Sequence, residues 1–324
     1  MRRSALVLAV FAATPLALAA QTPYSECNQT LIVASQQNIN LCNAALDGVE
    51  VFQPVAGLLV SGGNPVLGGI GTLGGFFHLS LTARVNATEL RTPDLSYNGT
   101  GTTVAQGDKI FAPAPLIEGA FGLFNGVGPS GFLAIDLLGS AQLLPTTQVK
   151  NLSVASDARK IGSVALGLGY GARVGILKGH SIVPSVTVSA MHRSIPRLSY
   201  GNVSGSDQYS FSTDLGATNL RAVAGYKLAI LAVGAGLGWD KYTSSVSVDF
   251  ANQTVPGTSL NVKKDLDNSR TLAFLTAALD LPIIKIGAEV GYQLGKTENL
   301  KTTFTGNDPS QNRLFAGGGV RFSF

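Results

Sequence analysis

The residues SVALGLGYGARVGIL (163–177) alternate without a break. Val164, Leu166, Leu168, Tyr170, Ala172, Val174 and Ile176 take every second place, with serine, alanine, glycine or arginine between them. A period of two sends successive side chains to opposite faces of a strand, so this segment has one apolar face and one nearly bare. The pattern recurs in FHLSLTARVNAT (77–88), in 132–143 and in 283–294. There the second face is polar, with Ser80, Thr82, Arg84 and Asn86 in one segment, Asp136, Ser140 and Gln142 in the next, and Lys285, Glu289 and Gln293 in the last. About ten residues of such alternation is what a tilted strand needs to cross a bilayer.

Apart from the N-terminus, no apolar run reaches the ~18 residues of a spanning helix. Yet the mean hydropathy is +0.26. Charged residues make up 13%, against about 25% in ordinary soluble domains. Backbone groups in hydrocarbon must be satisfied internally, so a lipid-facing chain without spanning helices closes its strands into a barrel.

The chain begins MRRSALVLAVFAATPLALAA, with a basic start at Arg2 and Arg3, an apolar core and a small-x-small end at Ala17-Leu18-Ala19. This has the form of a cleaved export signal over residues 1–20. The only cysteines, Cys27 and Cys42, then lie in an oxidising compartment and are expected to form one bridge. Two sulfurs without nearby histidines do not complete a zinc site, and no metal or cofactor is expected. The formal charge of +4 falls to +2 without Arg2 and Arg3 and is dispersed along the chain, which argues against a nucleic-acid partner.

Connections between the alternating segments are short at 125–130, 178–180, 228–229 and 281–283. They are long and polar at about 90–113, 145–160, 194–215, 243–271 and 297–311. Short turns on one side and long loops on the other mark an up-and-down antiparallel transmembrane β-barrel. The count is about ten strands, within a range of eight to fourteen, over residues 76–324. Residues 21–75 form a disulfide-clipped helical and loop segment, expected in or under the periplasmic mouth. A two-residue turn at Pro282-Ile283 sets Asp280 opposite Lys285 and Leu281 opposite Ile284, so the phases of both strands agree.

The chain ends GGGVRFSF, with Gly319, Phe322 and Phe324 in a spacing that resembles the C-terminal assembly signal of Gram-negative outer-membrane β-barrel proteins. The resemblance implies recognition by the barrel-assembly machinery and residence among outer-membrane lipids. Asn64-Pro65 in the glycine-rich stretch 62–75 is weakly similar to the hatch loop of the FadL family of hydrophobic-substrate transporters. That likeness implies a plug inside the lumen.

Gly69-x-Gly71-x-x-Gly74, the similar spacing at Gly126, and Gly167, Gly169 and Ala172 match dinucleotide-loop forms. With 39 glycines and no βαβ context they are chance matches. The three histidines, His78, His180 and His192, meet no nucleophile and acid in sequence terms. The chain is therefore expected not to be an enzyme. By parity, Arg84, Glu118, Asp136, Arg173, Arg221, Lys285, Glu289 and Arg321 line the lumen. The inner faces at Gly167, Gly169 and Gly171, and at Gly234, Gly236 and Gly238, leave a hollow for residues 21–75 or a solute, with Arg173 as its one charged contact. The leading expectation is a passive channel for small solutes. The alternatives are a closed barrel acting through its outer loops and a lipid-modifying enzyme.

Overall fold

A computed structural model describes residues 22–144, 152–155, 158, 160–161, 164–179, 183–281 and 283–324. The export signal, His180, Pro282 and most of the 145–160 loop lie outside the described residues. Ten strands form the wall: β1 (Leu79–Pro93), β2 (Gln106–Phe124), β3 (Ala134–Leu144), β4 (Val164–Leu177), β5 (Ser185–Tyr200), β6 (Tyr209–Leu228), β7 (Leu231–Ala251), β8 (Ser259–Asp280), β9 (Ile284–Gln293) and β10 (Arg313–Ser323). Each pairs antiparallel with the next, and β10 closes on β1 through Thr82↔Arg321 and Val85↔Gly318. The barrel is closed with ten strands. Asp280 pairs with Lys285 as the hairpin phase requires.

Every strand buries alternate residues, but the chemistry of the two faces inverts partway up. On β7 the outward positions run Leu231, Val233, Ala235, Leu237 and Trp239, then Lys241, Thr243, Ser245, Ser247 and Asp249. The inward positions run Gly234, Gly236, Gly238 and Asp240, then Tyr242, Val246, Val248 and Phe250. β6 repeats the switch, with Leu220, Ala222 and Tyr226 outward beside inward Asn219 and Arg221, and Ser210, Ser212 and Asp214 outward beside inward Tyr209 and Phe211. The lower part suits lipid outside and polar contents within. The upper part, a hood, suits water outside and a core within. Trp239, Tyr292 and Tyr170 ring the outer boundary of the apolar belt, while Tyr226 and Phe322 ring the inner one.

The hood corrects the sequence expectation of long loops. Residues 243–271 are mostly strand, β7 and β8 being 21 and 22 residues long, about twice what a membrane crossing needs. Residues 194–215 are likewise mostly strand, whereas 94–105 and 297–311 leave the wall as expected of loops.

Two short helical turns, Ser25–Asn28 and α1 (Thr30–Val33), lead into α2 (Gln36–Ser61), a helix of 26 residues. Its length is about 39 Å at 1.5 Å per residue. It carries only Asp47 and Glu50 as charges, and most of it is buried against β1, β2, β6, β7 and β8. A helix buried all round reads as apolar all round, which is why its sequence lacks a clear stripe. The N-terminal segment therefore enters from the hood and descends. The Cys27–Cys42 bridge lies in the hood core with Val246, Val248, Phe250 and Phe304. This corrects the placement of the clip at the periplasmic mouth, which residues 66–75 occupy instead.

A plugged lumen as the candidate site

Below the hood, α2 ends at Ser61, and neither its last carbonyls nor the Gly63 and Asn64 amides have helical partners. Side chains of the wall satisfy them. Arg221 donates from Nε to the Gly63 carbonyl and from Nη2 to the Gly62 carbonyl, both at 2.8 Å. Asn86 donates to the Leu59 carbonyl at 2.9 Å. Glu289 accepts the Gly63 and Asn64 amides at 2.8 and 2.9 Å, and Arg84 donates to the Asn64 carbonyl at 2.7 Å. A cation at a helix C-terminus also complements its dipole.

These same charges neutralise one another. Arg84 pairs with Glu289 and, at 3.3 Å, with Glu118. Arg193 meets the other Glu118 oxygen at 3.1 Å. Arg221 pairs with Asp240, which also accepts from Asn219 at 2.7 Å and from Tyr242 at 2.8 Å. Lower down, Arg173 and Asp136 pair at 2.6 Å, and Asp136 accepts the Leu73 amide at 3.1 Å. Buried charges persist only when paired and hydrogen-bonded. Here the Arg84–Glu289, Arg221–Asp240 and Arg173–Asp136 pairs also grip the plug, while Arg193–Glu118 braces the wall behind Arg84.

Of the residues expected to face inward, Arg84, Glu118, Asp136, Arg173, Arg221, Glu289 and Arg321 are buried in the lumen, and Lys285 sits half-buried at its lower mouth. Arg84, Glu118 and Glu289 meet in one cluster and Arg173 with Asp136 in another. Arg321 and Lys285 share Asp280. Parity reasoning missed Arg193 and Asp240, both at most 2% exposed. They flank the points where loops were expected to begin, although their parity continues from Ser189 and Gly238. The hollow expected along the glycines is occupied. A side chain begun at Gly236 would meet the Phe274 ring, at Gly238 the Arg221 side chain, and at Gly167 and Gly169 those of Ile195 and Arg193. At Gly171 it would meet the Ala190 carbonyl, and only Gly234 of the six adjoins the plug, at Ile70. Gly319 pairs with Arg84 and Gly287, while Phe322 and Phe324 reach the outer surface. His78 lies near the lower mouth, and His192 faces outward beside Tyr170 and Thr218.

At the outer end the plug is latched by Asp47, which accepts Tyr24 Oη at 2.5 Å, the Lys301 amide at 2.9 Å, and the Thr302 amide and hydroxyl at 2.6 Å. Burial pushes the Asp47 carboxyl up to about 6, against the lowering effect of bonds from Thr302, Tyr24 and Lys301. A folded pKa above the unfolded 3.8 means that the protonated group is the stabilised one. The contribution is complete below the unfolded pKa and is lost as pH rises through about 6. Amide exchange in the 22–50 head, corrected for intrinsic rates, is expected to slow between pH 7 and pH 5. Asp47→Asn should flatten that dependence, and an unchanged profile in the variant would assign it to another group.

A closed barrel with an apolar belt, aromatic boundaries and a polar, paired interior satisfies every constraint that hydrocarbon imposes on a backbone. The chain is an outer-membrane β-barrel protein. No family model and no curated relative matches the chain. Among solved structures, it is similar to the outer membrane protease OmpT from Escherichia coli at 9% identity, covering 76% of this chain and 97% of that one, with a TM-score of 0.41. The translocator domain of the autotransporter NalP from Neisseria meningitidis is similar at 12% identity, with coverage of 86% and 98% and a TM-score of 0.39. The toluene transporter TodX of P. putida is similar at 11% identity, with coverage of 76% and 89% and a TM-score of 0.27. These likenesses carry nothing about the activity of this barrel. They do correct the expectation of a non-enzyme, because a fold class that includes a protease does not exclude catalysis.

Proposed function

We propose that this barrel binds small apolar molecules at its outer end and passes them inward, with α2 as one wall of the binding site. The observation that carries this reading is a cavity of about 220 Å³ between α2 and the wall, at the level where the membrane part meets the hood. Phe52, Ala56, Leu59 and Val60 of α2 face Leu90, Ala112, Ile195 and Leu215 across it. An apolar cavity of about 150 Å³ is enough to take up benzene, so a one- or two-ring molecule fits.

Phe111, Pro113 and Leu143, which occupy outward positions, also line the cavity. Among the described residues, β2 has no partner on the β3 side beyond Leu116↔Gln142. Both features support entry from the side at the outer leaflet rather than along the axis, which α2 and the ion pairs fill. A second reading, a closed barrel acting through its hood, is favoured by those same ion pairs.

Titration calorimetry of the purified barrel with bromobenzene separates the two. The parent should bind close to one equivalent. Ala112→Phe combined with Ala56→Leu, which fills the cavity, should bind none while keeping its heat-modifiable band. Equal heats from both proteins would assign the signal to detergent or surface partitioning and end the uptake reading.

A further inference from the structure

The lower mouth holds a second cavity, of about 510 Å³, bounded by the Gly68–Gly74 loop and the ends of β4, β6, β8, β9 and β10. Its chemistry is the opposite of the first. Among the described residues its lining carries Arg173, Lys178, Lys227, Lys285 and Arg321, and a single acidic side chain, Asp280. Asp280 is already shared by Lys227 at 2.6 Å, Lys285 at 3.3 Å and Arg321 at 4.0 Å. Lys178 has no ion-pair partner among the described residues. With Asp136 credited to Arg173, the cationic side chains exceed the acidic ones by three.

Two buried donors point to what balances them. Arg173 is 1% exposed and gives Nε and Nη2 to Asp136, yet its Nη1 has no acceptor. Arg321 is 6% exposed and gives Nη1 to the Leu67 carbonyl, yet its Nε has no acceptor. Both guanidiniums line this chamber, on β4 and β10. Buried charged donors without acceptors are costly, and carboxylate and phosphate oxygens are the acceptors that guanidinium geometry matches best.

We propose that this chamber binds a small anion bearing carboxylate or phosphate oxygens, reached from the periplasmic side. Arg173 and Arg321 supply fixed positive charge in its wall, and Lys178 and Lys285 supply flanking charge. Bound there, the anion tightens the plug. Arg321 also holds Leu67, and Asp136, the partner of Arg173, holds Leu73. The site is independent of the apolar cavity, from which the collar of Arg84, Glu289 and Arg221 around residues 61–64 separates it.

The test is calorimetry and thermal unfolding of the full barrel in neutral detergent with inorganic phosphate or succinate, against sodium chloride at matched ionic strength. Saturable binding and a rise of several degrees in the unfolding midpoint are expected with at least one of the two anions and not with chloride. Short-chain phosphatidylglycerol forms a third arm. If it displaces the bound anion, the physiological source is a lipid headgroup, and if it does not, the source is soluble. Lys285→Gln and Lys178→Gln, which leave the plug contacts intact, should each weaken binding several-fold, and Arg321→Gln should weaken it more than tenfold. An absence of saturable binding with any of the three ligands, or equal affinity in the Arg321→Gln and Lys285→Gln variants, would overturn the proposal.

Discussion

Arg84→Met is expected to destabilise the barrel by roughly 3–5 kcal/mol, the cost of leaving a buried charge without its partner. Arg84 is fully enclosed and holds Glu289, Glu118 and the Asn64 carbonyl together. Without it Glu289 keeps only the two plug amides, and Glu118 keeps only Arg193. The variant should lose its heat-modifiable band at a lower temperature, and added protease should cut residues 62–75 in the folded state. The double variant Arg84→Met with Glu289→Gln removes one of the two stranded carboxylates, so it should recover part of the loss. A single variant as stable and as protease-resistant as the parent would mean that the collar does not hold the plug.

Gly57→Leu is expected to convert a silent barrel into a conducting one. A Cβ at Gly57 would collide with the Tyr242 ring. That ring cannot swing aside, because it is fully buried and its hydroxyl donates to Asp240 at 2.8 Å and accepts from Gln293 at 3.0 Å. The helix must move instead, and with it the stopper of the lumen. In planar bilayers the parent should show no steady conductance, and the variant should show stepwise openings. Gly48 sits on the same helix, but a Cβ there meets its neighbours at 3.7 Å or more. Gly48→Ala should therefore stay silent and gain up to about 1 kcal/mol from helix propensity. Silence in Gly57→Leu as well would show that the wall adjusts to the helix.

The contrast between these two glycines shows how far sequence reasoning reaches. Alternation placed Arg84, Glu118, Arg173 and Glu289 on the inner face, because the two-residue period is a local property of the strand. It could not say that Glu118 lies between Arg84 and Arg193, since pairing across the lumen depends on strand stagger and on what stands between. The hood escaped for a different reason. Tyr242, Val246, Val248 and Phe250 keep the period of β7, but their outward neighbours are Thr243, Ser245, Ser247 and Asp249. A search for apolar faces turned to lipid reads such a segment as a polar loop, whereas the inverted alternation marks a strand that has left the membrane.

What the sequence determined by itself is the barrel: its even number of strands, its lipid-facing side and the register of the Asp280–Lys285 hairpin. Hydrocarbon leaves few ways to satisfy a backbone, and period two records which way was taken. Only the tertiary structure decided the direction of the N-terminal segment, the position of the Cys27–Cys42 clip in the hood and the closure of the lumen. A polar side chain that faces inward has the same sequence signature whether water, a solute or the end of α2 receives it. The partners of Arg221 and Glu289 are backbone groups of residues 62–64, and backbone groups carry no side-chain signature from which a pairing could be read.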